Sequence, residues 1–377
     1  MPLKSIPNRT TDSPHHVPSS PPILVVEDDR FTRIVELVLD PNAGAERRAA
    51  YADFFSHEVP DFEGWCASVR ARAPGLFPAE VRFVDSPQTL HEQIVDAHAV
   101  IVESLGVTRA DIEAAANLTV IHKHGVVLRG IDTDACAARG IKVLTIRRRP
   151  NIACAEVAIG LMVTLAKKLN RLAGRISVER LADAGYAYRP FDRRHTPNSN
   201  WGRVPGIAML HGATVGIIGL GEIGREIALR AAAFGMRVLY TQRTRLGAAE
   251  ERDLRATYAT LDALLGDSDW VVPQVPTSPS TRNLIGRAEF ERMKPGAFLV
   301  NVSCADVVDR SALIEALRSG RLGGFALDPL YEEPGRSDDE LLRFDNVVLI
   351  PHIAAQPRFN ALNDLSDVIA ALGREVR

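Results

Sequence analysis

Neither sign of charge dominates this chain: Lys and Arg number 45 against 47 Asp and Glu, a formal net charge of -2. With no global basic field, recruitment of nucleic acid or of an anionic membrane surface is not expected. Cysteine is scarce. The four thiols, Cys66, Cys136, Cys154 and Cys304, show no CxxC spacing, which argues against a zinc site or a disulfide framework and fits a reduced, cytoplasmic setting. No apolar run approaches the roughly 18 residues of a membrane span, and no charged segment leads into an apolar one at the N-terminus. Neither a span nor a signal peptide is therefore expected.

What is present fits a soluble chain of two domains. There are 377 residues, 46% hydrophobic and 24% charged, too many for one small core. Residues 1–22 hold six prolines among Ser, Thr and His, a composition that cannot bury a core, so a flexible tail is expected there. From Ile23 onward, β-branched runs (ILVVED, EVRFVDS, AVIVES, LTVIHKHG, IKVLTI) alternate with amphipathic stretches. That alternation predicts a parallel sheet covered on both faces. The stretch from about Pro41 to Pro78 is less regular and reads as helices decorating this domain. ILVVEDDRFTR resembles the acidic pocket of a phosphoacceptor receiver, but the third run ends in Glu103 and Ser104 where a receiver needs Asp. A long apolar helix is expected over 152–171, then a polar, Arg-rich arm over 173–206 with Trp201. A second alternating series follows: ATVGIIGLGEIG, RVLYTQRT, WVVPQVP, AFLVNVS, GGFALDP and NVVLIPHIA.

The second series opens with the clearest chemical signal. Thr214 to Ile218 is a β-branched strand running into Gly219-Leu220-Gly221-Glu222-Ile223-Gly224, followed by a helical stretch and another strand. A strand, GxGxxG and a helix in that order predict a dinucleotide turn. Gly219 permits the turn, Gly221 lets the backbone approach a pyrophosphate, Gly224 lets helix and strand pack, and the helix N-terminus supplies N–H donors. The next strand ends in Gln242-Arg243-Thr244. Gln carries no charge to repel a 2′-phosphate and Arg243 offers a forked contact. NADP is slightly favoured over NAD, which stays open.

With these residues placed, the chain resembles the D-isomer-specific 2-hydroxyacid dehydrogenase family over roughly residues 85–360. The motifs are HGVVLRGID, NIACAEVAIGLM, GATVGIIGLGEIG, VPQVPTSPSTRNLIG, FLVNVSCADVVDRSALIEAL, GGFALDPLYEEP and NVVLIPHIA, in that order. The resemblance implies an α/β fold of two doubly wound parallel-sheet domains. A Rossmann dinucleotide domain, expected at 150–354, is inserted into a flavodoxin-like substrate domain, expected at 23–149 plus 355–377. It also implies a homodimer and a small-molecule substrate. The implied activity is NAD(P)-dependent hydride transfer between a nicotinamide and a hydroxy or keto compound. His352 matches the family's catalytic acid/base and Glu333 the acid that pairs with it. Val275, Pro276, Thr281, Val302 and Asp328 join the Gly turn on the cofactor side, and Val126, Val127 and Arg129 fall on the substrate side.

The departures cluster on that substrate side. The family's N-x-(A/S)-R-G reads Asn301-Val302-Ser303-Cys304-Ala305 here. The missing Arg normally grips the substrate carboxylate, and losing one such preorganised donor costs about 2.7–4 kcal/mol, or about 10²–10³ in rate. The usual G-x-G-x-D reads Gly125-Val126-Val127-Leu128-Arg129. Cys304 is then open to three readings: a small neutral filler, a nucleophile activated by His352, or a sign of lost activity. Arg129 and the run Arg147-Arg148-Arg149 are candidates for a relocated cation. The alternative class is a non-catalytic, dinucleotide-sensing interaction protein. A third reading is a reaction in which the cofactor is reduced and reoxidised within one cycle. His122 and His124 share one strand face without a third ligand, so they read as structural and no metal site is expected.

Overall fold

A computed structural model of the chain describes residues 20–376; the tail read at 1–22 falls almost wholly outside them. The chain divides into two compact units. One runs to Ile146 and resumes at Ala361, and the other, Arg147–Asn360, is inserted between its two parts.

The first unit carries five parallel strands: β1 (Ile23–Glu27), β2 (Glu80–Val84), β3 (Ala99–Val102), β4 (Val120–Lys123) and β5 (Lys142–Thr145). Their order is β2-β1-β3-β4-β5, the flavodoxin-like arrangement. β3 and β4 are buried along their whole length, as strands covered on both faces must be. One face packs on Leu37, Phe55, Phe62 and the helix Phe359–Leu372, which buries Leu362, Leu365 and Ile369 there. The other face packs on Leu90, Ile94, Ile112 and Cys136. The irregular stretch forms two helices, Ala45–Phe55 and Phe62–Arg72, whose Phe55 and Phe62 rings stack at 6.1 Å.

Glu27, the first acid of the receiver-like motif, is buried. Its carboxylate accepts hydrogen bonds from the backbone N–H groups of Glu103, Ser104 and Leu105 at 2.6–2.9 Å, and from the Ser104 hydroxyl. Asp28 is paired with Arg33 at 2.6 Å. Glu27 therefore fastens the loop after β3, and Asp28 is taken up by an ion pair.

The second unit carries seven parallel strands: β6 (Thr214–Ile218), β7 (Arg237–Thr241), β8 (Ala256–Tyr258), β9 (Trp270–Pro273), β10 (Ala297–Asn301), β11 (Leu322–Leu327) and β12 (Val347–Leu349). Their order is β12-β11-β10-β9-β6-β7-β8, a doubly wound Rossmann sheet whose order reverses at β6. β8 is a short edge strand that the sequence pattern did not separate from its flanks. The long apolar helix spans Arg149–Lys167 and ends at Lys168 in the left-handed region (φ 55). It is the one helix among the described residues long and apolar enough to cross a bilayer. Ala155, Ala158, Met162 and Leu165 nevertheless bury in the core of this unit, where the helix packs against the helix Glu222–Ala233 and against β10, β11 and β12, the role of a core helix.

Arg147 opens this unit. Its guanidinium forks onto the Glu226 carboxylate at 2.5 and 2.6 Å, and Arg230 reaches the same carboxylate at 2.6 Å. Burial would raise the Glu226 carboxyl, yet the two arginines hold it below its ordinary range. Arg147 is thus committed to the helix Glu222–Ala233, not held in reserve as a relocated cation.

Candidate active site

All seven strands of the second sheet are parallel, so their carboxyl ends share one edge, where ligands bind in such sheets. The loops leaving β6, β7, β9, β10, β11 and β12 carry nearly all the residues singled out from the sequence.

The loop after β6 is built by exclusion. Gly219 lies at φ +98, and a Cβ there would meet the Gln274 carbonyl at 2.4 Å and Val275 at 2.8 Å. At Gly224 a Cβ would meet the Gly219 carbonyl at 2.3 Å. At Gly221 it would meet nothing within 4 Å, and φ is -78. Internal packing therefore does not demand glycine at 221, whereas a ligand lying against the backbone would. The helix Glu222–Ala233 begins at Gly221 with no side-chain cap, and the N-terminus of a helix is a ready site for an anion. These features fit a dinucleotide pyrophosphate.

At the end of β7, the Gln242 amide oxygen accepts from the Leu220 N–H at 3.2 Å and its amide nitrogen donates to the Thr244 carbonyl at 2.6 Å. Gln242 thereby ties the Gly turn to the segment bearing Arg243, which is exposed. After β9, Thr281 closes the loop by donating to the Pro276 carbonyl at 2.6 Å. Val302, after β10, is buried in the same core as Leu220.

The β10 loop keeps a well-braced turn. Asn301 is fully buried. Its amide nitrogen donates to the Cys304 carbonyl at 2.9 Å, and its oxygen accepts from the Ser303 N–H at 2.9 Å and hydroxyl at 3.0 Å. Cys304 is half-buried, and no hydrogen bond joins its thiol to another described residue. A nucleophilic Cys304 needs an adjacent base, so this reading has no structural counterpart. Burial pushes the Cys66 and Cys154 thiols, elsewhere in the chain, up to about 11 and about 12.

β11 and β12 are neighbours, and their loops bring the expected acid/base pair together. His352 Nδ1 lies 2.9 Å from Glu333 Oε2, and that hydrogen bond holds the Glu333 carboxyl below its ordinary range. His352 sits in the left-handed region, φ +53, an uncommon conformation for a residue with a Cβ. Asp328 maintains it. Its carbonyl accepts from the His352 N–H at 3.1 Å, and its carboxylate accepts from the N–H groups of Ile353 and Ala354 at 2.7 and 3.1 Å. Burial raises the Asp328 carboxyl. Asp328, expected from the sequence on the cofactor side, braces the His352 turn. Tyr331 was not singled out from the sequence; its hydroxyl donates to the Val308 carbonyl at 3.0 Å. That bond ties the Glu333 loop to the loop bearing Cys304. An aromatic two residues before the acid was the available signal.

Val126, Val127 and Arg129 lie in the first unit, in the loop after β4. Val126 and Arg129 are exposed and Val127 is half-buried.

Comparison with known proteins points the same way as the geometry. Residues 187–354 match the family model described as D-isomer specific 2-hydroxyacid dehydrogenase, NAD binding domain. The chain is 35% identical over 287 residues to a D-3-phosphoglycerate dehydrogenase of Archaeoglobus fulgidus, covering 75% of this chain and 50% of that protein. It thus spans about half the length of that relative. It is 34% identical over 300 residues to a glyoxylate reductase of Thermococcus gammatolerans, covering 77% of this chain and 79% of that protein. Among solved structures, the PH0520 protein from Pyrococcus horikoshii OT3 aligns with a TM-score of 0.55 at 25% identity, covering 93% of this chain and 91% of that one.

Proposed function

The chain belongs to the D-isomer-specific 2-hydroxyacid dehydrogenase family, NAD-dependent dehydrogenases acting on a CH–OH group, and on that premise we propose that it interconverts a hydroxy and a keto compound. The substrate is a 2-hydroxy acid or a related compound whose carboxylate is recognised in an altered way. The observation that carries this reading is the His352–Glu333 pair on adjacent strand ends of the sheet that bears the Gly turn.

A nicotinamide dinucleotide, when bound, supplies the hydride acceptor or donor. The chain's own residues do the rest. Gly221 and the amides of Glu222, Ile223 and Gly224 hold the pyrophosphate, with Val275, Pro276, Thr281 and Val302 beside it. His352 takes the hydroxyl proton in oxidation and returns it in reduction. Glu333 fixes the imidazole tautomer and favours its protonated form. Cys304 occupies the carboxylate-gripping position as a small neutral filler, and Val126, Val127 and Arg129 are the substrate-side candidates of the first unit. The uncharged Gln242 and the exposed Arg243 support a slight preference for NADP, read as a lower Kd for NADPH than for NADH that Arg243→Ala abolishes. Ile176 and Met209, 85% and 66% exposed, support a homodimer formed through the segment preceding β6; sedimentation measures that directly.

The test is a reductase screen with NADH and NADPH against keto acids, keto esters, aldehydes and neutral ketones. Turnover of at least one class, lost in His352→Ala, is expected. The neutral Cys304 also favours a second reading, a non-catalytic dinucleotide sensor. Dinucleotide binding without turnover of any class would establish that reading instead.

A further inference from the structure

Glu333 sits in an exposed loop: residues 332–338 all face solvent. Its carboxylate has two hydrogen-bond partners among the described residues, the Leu330 N–H at 3.0 Å and His352 at 2.9 Å. An ion pair this open to water does little to hold its own geometry, because screening is strong and two side chains must be ordered to make it. The restraint lies just before the acid. Leu330 and Tyr331 turn inward and pack on the core that β10 and β11 share. The Tyr331 hydroxyl donates to the Val308 carbonyl at 3.0 Å, and burial raises the phenol, so the hydroxyl keeps the proton it donates.

The acceptor is a fixed point. Val308 is fully buried and pairs with Ile285 in a parallel bridge. Its N–H donates to the Ala305 carbonyl, and the next N–H, of Asp309, donates to the Ile285 carbonyl, both at 2.9 Å. The same segment begins at Cys304, whose carbonyl accepts from the Asn301 amide at 2.9 Å and the Val307 N–H at 3.3 Å. Arg310 then holds the Glu333 loop a second time. Its guanidinium lies 5.9 Å from the centre of the Tyr331 ring and pairs with Asp339 at 2.7 Å, so one side chain spans both ends of the exposed stretch.

We propose that Tyr331 is a positioning residue: tied to the Val308 carbonyl, with Arg310 over its ring, it sets the Glu333 carboxylate against His352 and makes that pair depend on the segment carrying Cys304. That the pair serves hydride transfer rests on the dehydrogenase reading above. That Tyr331 positions Glu333 does not.

The experiment reads His352 without turnover. Diethyl pyrocarbonate acylates neutral imidazole, and the His352 side chain is 57% exposed. Peptide mass spectrometry of the full chain treated across a pH series gives the midpoint of its reactivity, with the exposed His195 in the same digest as control. Glu333→Gln removes the carboxylate and lowers the midpoint by about one pH unit. Tyr331→Phe, which loses only the hydroxyl, lowers it part of the way and leaves His195 unmoved. Arg310→Gln does the same, opposite to the direct effect of removing a cation near an imidazole. Circular dichroism identifies the variants that fold. Tyr331→Phe combined with Glu333→Gln has the midpoint of Glu333→Gln alone, because Tyr331 acts through the acid. A wild-type midpoint in folded Tyr331→Phe, or in Arg310→Gln should Tyr331→Phe not fold, overturns the proposal, as does a further drop in the double variant. Shifted midpoints in a chain that reduces no carbonyl would sink the dehydrogenase reading and leave this one standing. Turnover lost in His352→Ala, with an unmoved Tyr331→Phe midpoint, would do the reverse.

Discussion

Two loops on one sheet edge, those after β6 and β10, have kept different things. The β6 loop has the turn at Gly219, open space at Gly221 and a helix start without a side-chain cap, features that fit a pyrophosphate. The β10 loop retains its scaffold, with Asn301 bracing the turn through three hydrogen bonds, but carries a thiol where the family motif has a guanidinium. Bracing and chemistry are therefore separable. A buried amide can hold a loop in shape while the side chain it presents changes character. On the reading proposed above the β6 loop has no such freedom, because there the backbone itself would be the binding group.

The comparison breaks most visibly at Cys304. If the β10 scaffold is intact, Cys304→Arg presents a guanidinium at once, and glyoxylate or hydroxypyruvate reduction rises about 10²–10³-fold, the worth of one preorganised donor. No gain in steady-state kinetics would show that Val127 and Arg129 dominate the pocket.

Within the β6 loop, two glycines behave oppositely. Gly219→Ala meets the Gln274 carbonyl and requires a positive φ, so it costs about 3 kcal/mol of stability in chemical denaturation. Gly221→Ala leaves the denaturation midpoint nearly unchanged and weakens dinucleotide binding at least tenfold, a loss of about 1.4 kcal/mol. Equal effects from the two would remove the distinction between packing and ligand approach.

Glu226→Ala strips two arginines of their shared carboxylate and lowers stability by about 2 kcal/mol, without changing Kd for the dinucleotide. The smallest effect falls on the carboxylate partner of the acid/base pair. Glu333→Gln removes the carboxylate beside the imidazole, lowers turnover about tenfold and moves the pH profile of reduction toward lower pH. The Glu333 carboxyl is held below its ordinary range in the folded chain. Its contribution to stability is therefore present above that range and is lost as pH falls through the lowered folded value. Glu333→Gln abolishes that part of the acid dependence.

Much of this was legible in the sequence. GLGEIG after a β-branched run placed the turn, and LYEEP with PHIA placed the pair that meets at 2.9 Å. Local spacing carried the first signal, and the resemblance to the family carried the second. What stayed hidden depended on partners far along the chain. Glu27 and Asp28 looked like an open acidic pocket until the amides of residues 103–105 filled one and Arg33 the other. Arg147 looked like spare charge until Glu226 claimed it. Asp328 matched a motif, yet its hydrogen bonds run to the turn of His352 across a loop of more than twenty residues.

The central claim is that the cofactor edge and its acid/base pair are functional while the substrate grip has changed. One paired measurement tests it most directly: dinucleotide binding and carbonyl reduction across the screen, in wild type and in His352→Ala. The account predicts equal dinucleotide affinity in both proteins, with wild-type turnover falling about 10²–10⁴-fold in the variant. Dinucleotide binding with no wild-type turnover, or undiminished turnover in His352→Ala, would contradict it.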